Sequence, residues 1–314
     1  MLSRMADHLF WLSRYTERAE NLARILDVTQ RLASMPSAHG GDTNVWESAI
    51  ATAACTDEFN ALYKDATREN VIQFMIGTDG NPHSIKACIE TARTNARAVR
   101  TAITTEMWEI LNGAWNDMQR TNRDEMLKTD EMTRFLGRVM EMSLRFDGAA
   151  YRTMLRTDSY WFQRLGTFVE RADNMARLLD VKYHVLLPDS ERVGGGLDYF
   201  QWASILRSVN ALTSYHWVYR KSVEPWLVAD FLILRPEQPR SLVSCYTALH
   251  EYLDKLAESY GRQGPTQRLA RTTVAKLSNM DIDTLFQGGL HEFLTDFLSE
   301  NNKLGAAINQ QYLG

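Results

Sequence analysis

Two stretches of the chain share one pattern of apolar and polar positions. Residues 12–28 read LSRYTERAENLARILDV and residues 165–181 read LGTFVERADNMARLLDV, with ten of the 17 aligned positions identical. In both stretches the apolar residues recur at the i, i+3, i+4 spacing of an amphipathic helix. The charged positions are kept as well, although a solvated face would be free to change. The pattern therefore predicts two equivalent helices whose polar sides also contact something.

The repeat extends beyond these helices. Pro82–Ile85 reads PHSI and matches Pro239–Leu242, which reads PRSL, at an offset of 157 residues. A period of about half the chain indicates an internal duplication with a pseudo-two-fold relation between the halves, not a solenoid. A lone helix of this kind cannot bury its apolar face. We therefore expect the whole chain to form one domain of two repeats, about 1–150 and 151–314, that share one core.

Proline and glycine are sparse and clustered, and no segment shows sustained alternation of β-branched residues. The sequence therefore predicts an all-α protein, and its long helices suggest a bundle. We expect Pro36 to end the first helix and Pro82 to lie in the first turn of another. The predicted helices span about 3–35, short helices within 43–76, then 82–112, 115–127, 130–156, 158–187, 197–214, 225–234, 239–261 and further helices to the C-terminus.

Composition narrows the possible functions. The formal net charge is −4, with 45% hydrophobic and 24% charged residues. This charge argues against a nucleic-acid binder, which is usually basic. No apolar run is long enough to cross a membrane, and charges interrupt the first residues where a signal peptide would be apolar. We expect a cytoplasmic protein with no membrane partner.

Common cofactor and metal motifs are absent from the sequence. The seven histidines show no His-Glu-x-x-His or Glu-x-x-His spacing, and the three cysteines lack the spacing of a metal site. The Gly194–Gly196 stretch is not followed by Lys-Ser/Thr and is interpreted as a plain loop. We expect no metal and no directly bound cofactor.

A polar stripe runs along each repeated helix, roughly opposite its apolar face. The stripes and the arginines beside them consist of Glu17, Arg18, Asn21 and Arg24 on the first helix and Glu170, Arg171, Asn174 and Arg177 on the second. The simplest arrangement buries both stripes between the helices, where Glu17 and Glu170 pair with arginines across the axis. Two interpretations remain open: an ion-pair network that fixes helix register, or a polar pocket for an amino acid or a peptide terminus.

A second set of arginines is found in one half alone. Arg93, Arg97 and Arg100 follow the i, i+4, i+7 spacing of one helix face, and the matching positions of the second half hold other residues. This asymmetry suggests that one half acquired a separate role. The arginines could form an anion site for carboxylate or phosphate, or a solvated basic face paired with nearby acids.

The sequence resembles the bacterial alpha-E domain family, which is named for an α-helical domain with a Glu-Arg motif. The resemblance covers essentially the whole chain. The residues that carry it are MLSR at 1–4, WLSRYTERAEN at 11–21, PHSI at 82–85, ARTNAR at 92–97, EMWE at 106–109 and FVERAD at 168–173.

The resemblance implies an all-α protein that accompanies a circularly permuted ATP-grasp ligase, as neighbour or fusion, and transglutaminase-like proteases. It therefore implies a subunit of an amide-forming or peptide-forming system, which binds or positions a peptide or amino-acid substrate. ATP and Mg²⁺ would bind the partner ligase. Two alternatives remain: an enzyme in its own right, with Glu17 or Glu170 as the catalytic base, or a structural scaffold.

Overall fold

The protein is described by a computed structural model over residues 1–34, 45–122, 125–184 and 196–314, with the backbone alone described at 181–184 and 197. Within these ranges the chain forms fifteen α-helices and no strand, so the all-α prediction is confirmed. The predicted stop at Pro36 and the glycines Gly194 and Gly195 lie outside the described residues. No helix of the described part is both long and apolar enough to cross a membrane.

The helices of the first half are α1 (Ser3–Ala33), α2 (Val45–Thr52), α3 (Thr56–Leu62), α4 (Arg68–Gly77), α5 (Ile85–Ala98), α6 (Thr105–Arg120) and α7 (Thr129–Thr153). Those of the second half are α8 (Asp158–His184), α9 (Gly196–Ser208), α10 (Leu212–Tyr219), α11 (Pro225–Ala229), α12 (Leu242–Tyr260), α13 (Pro265–Ser278), α14 (Ile282–Gly288) and α15 (Leu290–Ile308). Short 3₁₀ and π-helical turns lie at Glu125–Leu127, Asp230–Leu234 and Asn309–Leu313.

The predicted helix over 82–112 is wrong, because the chain forms two helices there. Helix α5 begins after Ser84, whose hydroxyl accepts the N–H of Ala87 at 3.2 Å, so Pro82 precedes the helix. Helix α6 begins after Thr104, which caps it in the same way, and runs through the start of the helix predicted at 115–127. The residues between α5 and α6 include β-branched side chains, which disfavour helix slightly. No proline or glycine marks this break.

The helix predicted over 197–214 is likewise divided, into α9 and α10. Asn210, two residues after the end of α9, adopts a left-handed conformation with φ 56°. Asparagine tolerates this conformation better than most residues because its short side chain can hydrogen-bond locally. A lone asparagine is a weak signal in a sequence, and the pattern of apolar residues continues across it.

Helices α1 and α8 lie at the centre of the molecule. Helix α1 packs against α5, α7 and α8, and α8 packs against α1, α12 and α15. Buried apolar side chains from helices of both halves form one cluster around them. The middle turns of α1 and α8 are buried on nearly all sides, including their charged residues. Central helices without a solvated face explain why the charged positions were kept in both stretches.

A glycine allows α1 and α8 to approach closely. A Cβ atom built on Gly166 of α8 would overlap the carbonyl oxygen of Phe10 and lie 3.2 Å from the Cα of Phe10 in α1. These obstacles are backbone atoms, which cannot move aside as a flexible side chain can. Only glycine fits at this crossing without displacing one of the two helices.

We expect Gly166→Ala to lower the free energy of unfolding by at least about 1–3 kcal/mol, since overpacking forces a backbone shift. Urea denaturation followed by circular dichroism would measure the change. Gly137→Ala is a matched control, because Gly137 is an exposed helical glycine with nothing within 4 Å of an added Cβ. That control should be stabilised by up to about 1 kcal/mol. Equal stability of the two variants would contradict the close-approach argument.

Candidate functional site

Each glutamate of the repeated motif binds the arginine of the other copy. The guanidinium of Arg171 donates to the carboxylate of Glu17, with Nε 2.9 Å from Oε1. Conversely, Arg18 donates to both carboxylate oxygens of Glu170, at 2.6 and 3.1 Å. Both glutamates are buried. Because an unpaired buried charge is strongly destabilising, the two exchanged pairs hold α1 and α8 in one register.

Aromatic rings cover both of these arginines. The guanidinium carbon of Arg18 lies 5.4 Å from the ring centroid of Tyr15, and that of Arg171 lies 5.2 Å from the ring centroid of Phe168. Tyr15 and Phe168 occupy the same position of the sequence repeat. A ring over a guanidinium attracts the cation and also displaces water from it. Each ring therefore keeps water from one face of the guanidinium group that it covers.

The two glutamates differ in their tendency to ionise. Burial opposes ionisation of Glu170, but Arg18 and Arg14 outweigh it and hold the pKa at about 2. Arg14 contributes a further hydrogen bond to Glu170, at 2.7 Å. At Glu17 burial is the largest influence, and with the nearby charge of Glu20 it raises the pKa above its ordinary value. Glu170 is therefore a fixed anion, whereas Glu17 is the easier of the two to protonate.

Glu17 is part of a closed cluster, which we define as Glu17, Glu20, Arg24, Arg171 and Arg240. Arg240 lies 2.5 Å from a carboxylate oxygen of Glu20 and 3.9 Å from one of Glu17. Arg24 donates to Glu20 and to the carbonyl oxygen of Ser208. The remaining space is about 10 Å³, enough for about one water molecule at most. A substrate cannot reach Glu17 in this conformation.

Glu20 is the hub of the closed cluster. Burial opposes its ionisation, but the guanidinium groups of Arg240 and Arg24 outweigh that effect, and its pKa is about 2. The hydroxyl of Ser143 in α7 donates to its second carboxylate oxygen at 2.6 Å. Glu20 thus ties α1 to α7 and to the segment before α12.

The same helix pair also borders an open pocket of about 180 Å³. Asn21 and Asn174 line both this pocket and the closed cluster. Arg177 donates to Asp173 at 2.6 Å. The residues that line the open pocket are Arg18, Asn21, Leu22, Ala53, Ala54, Cys55, His83, Glu170, Asp173, Asn174 and Arg177. This pocket is where a ligand can meet residues of the repeated motif.

The thiol in the open pocket is not an activated nucleophile. Burial raises the pKa of Cys55 to about 11, so the thiol is protonated at neutral pH. The Sγ atom lies 3.2 Å from the carbonyl oxygen of Ala53. We therefore assign Cys55 a packing role at the pocket wall.

The residues predicted from the polar stripes are divided between these two spaces. Arg18, Asn21, Asn174 and Arg177 line the open pocket, together with Glu170. Glu17, Arg24 and Arg171 belong to the closed cluster. The stripes thus meet between the helices, as the sequence predicts, but they serve both an ion-pair network and a pocket.

The second predicted set of arginines, Arg93, Arg97 and Arg100, lies outside the open pocket and the closed cluster. Arg93 is half-buried and donates to Asn112 at 2.9 Å, and Arg93 and Arg100 lie over the ring of Trp108 at 5.6 and 4.9 Å. Arg97 and Arg100 are exposed. None of the three lines the open pocket. Their geometry is that of a partly solvated face stacked on one tryptophan.

Sequence reasoning missed four charged residues of the site, namely Arg14, Glu20, Asp173 and Arg240. Glu20 was a conservative match to Asp173 in the repeat, Arg240 differed from its counterpart His83, and Arg14 had no charged counterpart. The substitution of arginine for histidine at one repeated position was the available signal. Its meaning depends on which carboxylate lies beside it, and that requires the tertiary structure.

Other parts of the described chain offer weaker sites. A pocket of about 220 Å³ between α6 and α7 is larger, but the charged residues that line it are all exposed. No group of three or more histidine, cysteine or acidic side chains suited to a metal occurs among the described residues. Buried, positioned charges make the open pocket the stronger candidate.

The fold and the site define a class: an all-α protein whose two central helices exchange buried Glu-Arg pairs. Over residues 1–313 the sequence matches the model of the Alpha-E family, described as a predicted alpha-helical domain with a conserved ER motif. The chain belongs to the Alpha-E family. The dipeptides Glu17-Arg18 and Glu170-Arg171 fit the motif that the description names.

Relatives of the chain are uncharacterized proteins of Mycobacterium bovis and Mycobacterium tuberculosis, 24% identical over 332 aligned residues. The match covers 93% of this chain and 36% of each relative, so the chain spans about a third of their length. No solved structure matches it.

We expect the free energy of unfolding to fall as the pH drops from about 4.5 towards 2. The pKa values of Glu20 and Glu170 are about 2 in the folded protein, against an ordinary value of 4.5. In this window the unfolded state binds more protons, and protonation therefore favours unfolding. Glu17, with its raised pKa, takes up its proton above this window and does not contribute to the loss. Urea denaturation at a series of pH values would measure it.

Glu170→Gln tests the assignment of this pH dependence. The variant should be less stable at pH 7, because Arg14 and Arg18 lose their anion, and its stability should depend less on pH below 4.5. Glu69→Gln is a control, since Glu69 is exposed. An acid response unchanged by Glu170→Gln would contradict the pKa assignment.

Proposed function

We propose that the protein is an accessory subunit of an ATP-grasp-type amide ligase system and that it binds a peptide or amino-acid substrate in the open pocket. The observation that carries the proposal is a pocket of about 180 Å³ lined by paired arginines and carboxylates of the Glu-Arg motif. Positioned groups of both charges suit a ligand that carries both an acidic and an amino group.

The proposed partner comes from the alpha-E resemblance. That resemblance implies a circularly permuted ATP-grasp protein, with a transglutaminase-like protease as a further partner. The length of the relatives supports cooperation with another unit, since about two thirds of each lies outside the match. On this proposal ATP and Mg²⁺ bind the ligase, and this chain supplies the substrate site in the cytoplasm.

The alternative of an independent enzyme has less support. A general base must exchange a proton near neutral pH and reach the substrate. Glu170 faces the open pocket, but its pKa is about 2 and arginines occupy both of its oxygens. Glu17 has a raised pKa but lies in the closed cluster. Substrate binding, unlike general-base catalysis, requires no change in the charge of Glu17 or Glu170.

The alternative of a pure scaffold explains the closed cluster but not the pocket. A scaffold has no need of an unfilled space lined by charged side chains, yet Arg177 borders such a space and is bonded there through Nε alone. The closed cluster has the filled, fully paired geometry expected of a structural network. The open pocket differs from it in this respect, which favours a ligand.

Co-purification with the partner would test the proposal. We expect tagged protein, expressed in its native bacterium, to recover an ATP-grasp protein, and the complex to hydrolyse ATP faster when peptides are added. Arg177→Ala should raise the KM for peptide about tenfold or more, because a charge-assisted hydrogen bond is worth about 1.5–3 kcal/mol. The complex itself should still form, since Arg177 lies in a pocket between helices.

Arg31→Ala is the matched control. Arg31 pairs with Asp27 four residues earlier on α1, as Arg177 pairs with Asp173 on α8, but Arg31 is outside the pocket. The control should keep the wild-type KM. Recovery of the protein without an ATP-grasp partner, or ATP turnover that ignores peptides, would refute the proposal.

A further inference from the structure

The sequence repeat places the open pocket and the closed cluster at matching positions. At the offset of 153 residues Arg24 corresponds to Arg177, and at the offset of 157 residues His83 corresponds to Arg240. Arg240 directly precedes the N-cap of α12, and His83 directly precedes the N-cap of α5. Comparison of the two spaces therefore identifies the groups that the closed cluster has and the open pocket lacks.

The first difference is the side chain that fills the space. In the closed cluster Arg240 contacts the carboxylate of Glu20 at 2.5 Å. His83 is shorter and 40% exposed, and its Nε2 atom lies 4.0 Å from Glu58. Within the described residues it forms no ion pair with the pocket carboxylates. The space that a guanidinium fills on one side therefore stays open on the other.

The second difference is a missing acceptor. In the closed cluster the Nη1 atom of Arg24 donates to the carbonyl oxygen of Ser208. Arg177 donates to Asp173 through Nε alone, at 2.6 Å, and no other described residue accepts from its two Nη atoms. Its side chain is 25% exposed and lines the open pocket. The pocket thus offers a guanidinium edge that lacks an oxygen partner.

Further unused hydrogen-bonding groups lie beside Arg177. The Nη1 atom of Arg18 makes no hydrogen bond in the described part of the chain, since only Nε and Nη2 reach Glu170. The amide of Asn21, although buried, has no hydrogen-bond partner among the described residues. Both oxygens of Glu170 are already taken. The free groups of the pocket are therefore mainly donors.

The net charge of the side chains in and beside the pocket also favours an anionic ligand. In the pocket lining Arg18 and Arg177 balance Glu170 and Asp173. Arg14, which is not part of the lining, also donates to Glu170, so the five groups together carry a formal charge of +1. An incoming cation would increase this excess, and a small anion would neutralise it. A carboxylate also matches the planar edge of a guanidinium, to which it can bind through two hydrogen bonds.

We propose that the open pocket binds the carboxylate group of an amino acid or of a peptide C-terminus, through the Nη atoms of Arg177 with Arg18 and Asn21 beside them. The Oδ1 atom of Asp173 makes no hydrogen bond to the described residues and is free to accept an N–H of the same ligand. The inference rests on the proposed substrate-binding role of the pocket and specifies which end of the substrate is held there.

Calorimetric titration of the full chain with alanine, alanyl-alanine and alanyl-alanine amide would test this inference. The amide removes the carboxylate charge and little else. We expect alanine or alanyl-alanine to bind saturably, and the amide to bind at least about tenfold more weakly than alanyl-alanine, since the charge-assisted contact is lost. Stronger binding of alanine than of alanyl-alanine would identify a free amino acid as the ligand, and the reverse order would identify a peptide.

Variants locate the binding site. Arg177→Gln should weaken binding of the carboxylate ligand at least about tenfold and leave the affinity for the amide nearly unchanged, whereas Arg31→Gln should bind both ligands as the wild type does. The comparison of acid with amide needs only the wild-type protein and so does not depend on the folding of any variant. Equal binding of acid and amide, no saturable binding of any probe, or full affinity in Arg177→Gln would each overturn the inference.

The result is independent of the partner experiment. Carboxylate binding by the isolated chain, without recovery of an ATP-grasp protein, would sustain the carboxylate site and refute the proposed ligase role. Recovery of a peptide-dependent ligase complex, without carboxylate selectivity in the isolated chain, would sustain the ligase role and overturn this inference.

Discussion

The exchanged pairs Glu17–Arg171 and Glu170–Arg18 are the constraint on which the rest of the structure depends. Both carboxylates and Arg171 are buried and Arg18 is half-buried, and a shift of one helix along the other would leave each charge without its partner. The close approach at Gly166 keeps the helices near enough for these contacts. A purely apolar interface would bury similar area but would tolerate several registers. The ion pairs therefore specify the register of α1 against α8 in which the pocket forms.

One motif, used twice, thus has two different outcomes. On one side Glu20, which is longer than its counterpart Asp173, and the side chain of Arg240 complete a network with almost no space left. On the other side the matching positions hold Asp173 and His83, and a pocket remains. The two shorter side chains, together with the lack of a carbonyl acceptor like that of Ser208, separate the open pocket from the filled network. The duplication itself remains a prediction from the sequence repeat, but the contrast between the two sides does not depend on its origin.

The sequence predicted the parts of the structure that depend on local pattern. The helical period, and the charges that recur in both stretches, predicted the two central helices. They also predicted that Glu17 and Glu170 pair with arginines of the opposite helix. The breaks after α5 and at Asn210 were missed because no proline or glycine marks them. The contact of Glu20 with Arg240 joins residues 220 positions apart, and no local spacing reveals such a pair. The pocket volume depends on contacts of that kind.

The electrostatics of the pocket favour recognition over chemistry. Arginine guanidinium groups, which are permanent cations in proteins, border it, Glu170 has a pKa of about 2, and burial raises the pKa of Cys55 to about 11. Such groups hold constant charge across the physiological range, so they orient a ligand without exchanging protons with it. Pre-arranged charges also avoid the cost of reorganisation when a ligand of opposite charge arrives. A chain built in this way can position a ligand, and on the proposed function the bond-forming step belongs to the partner.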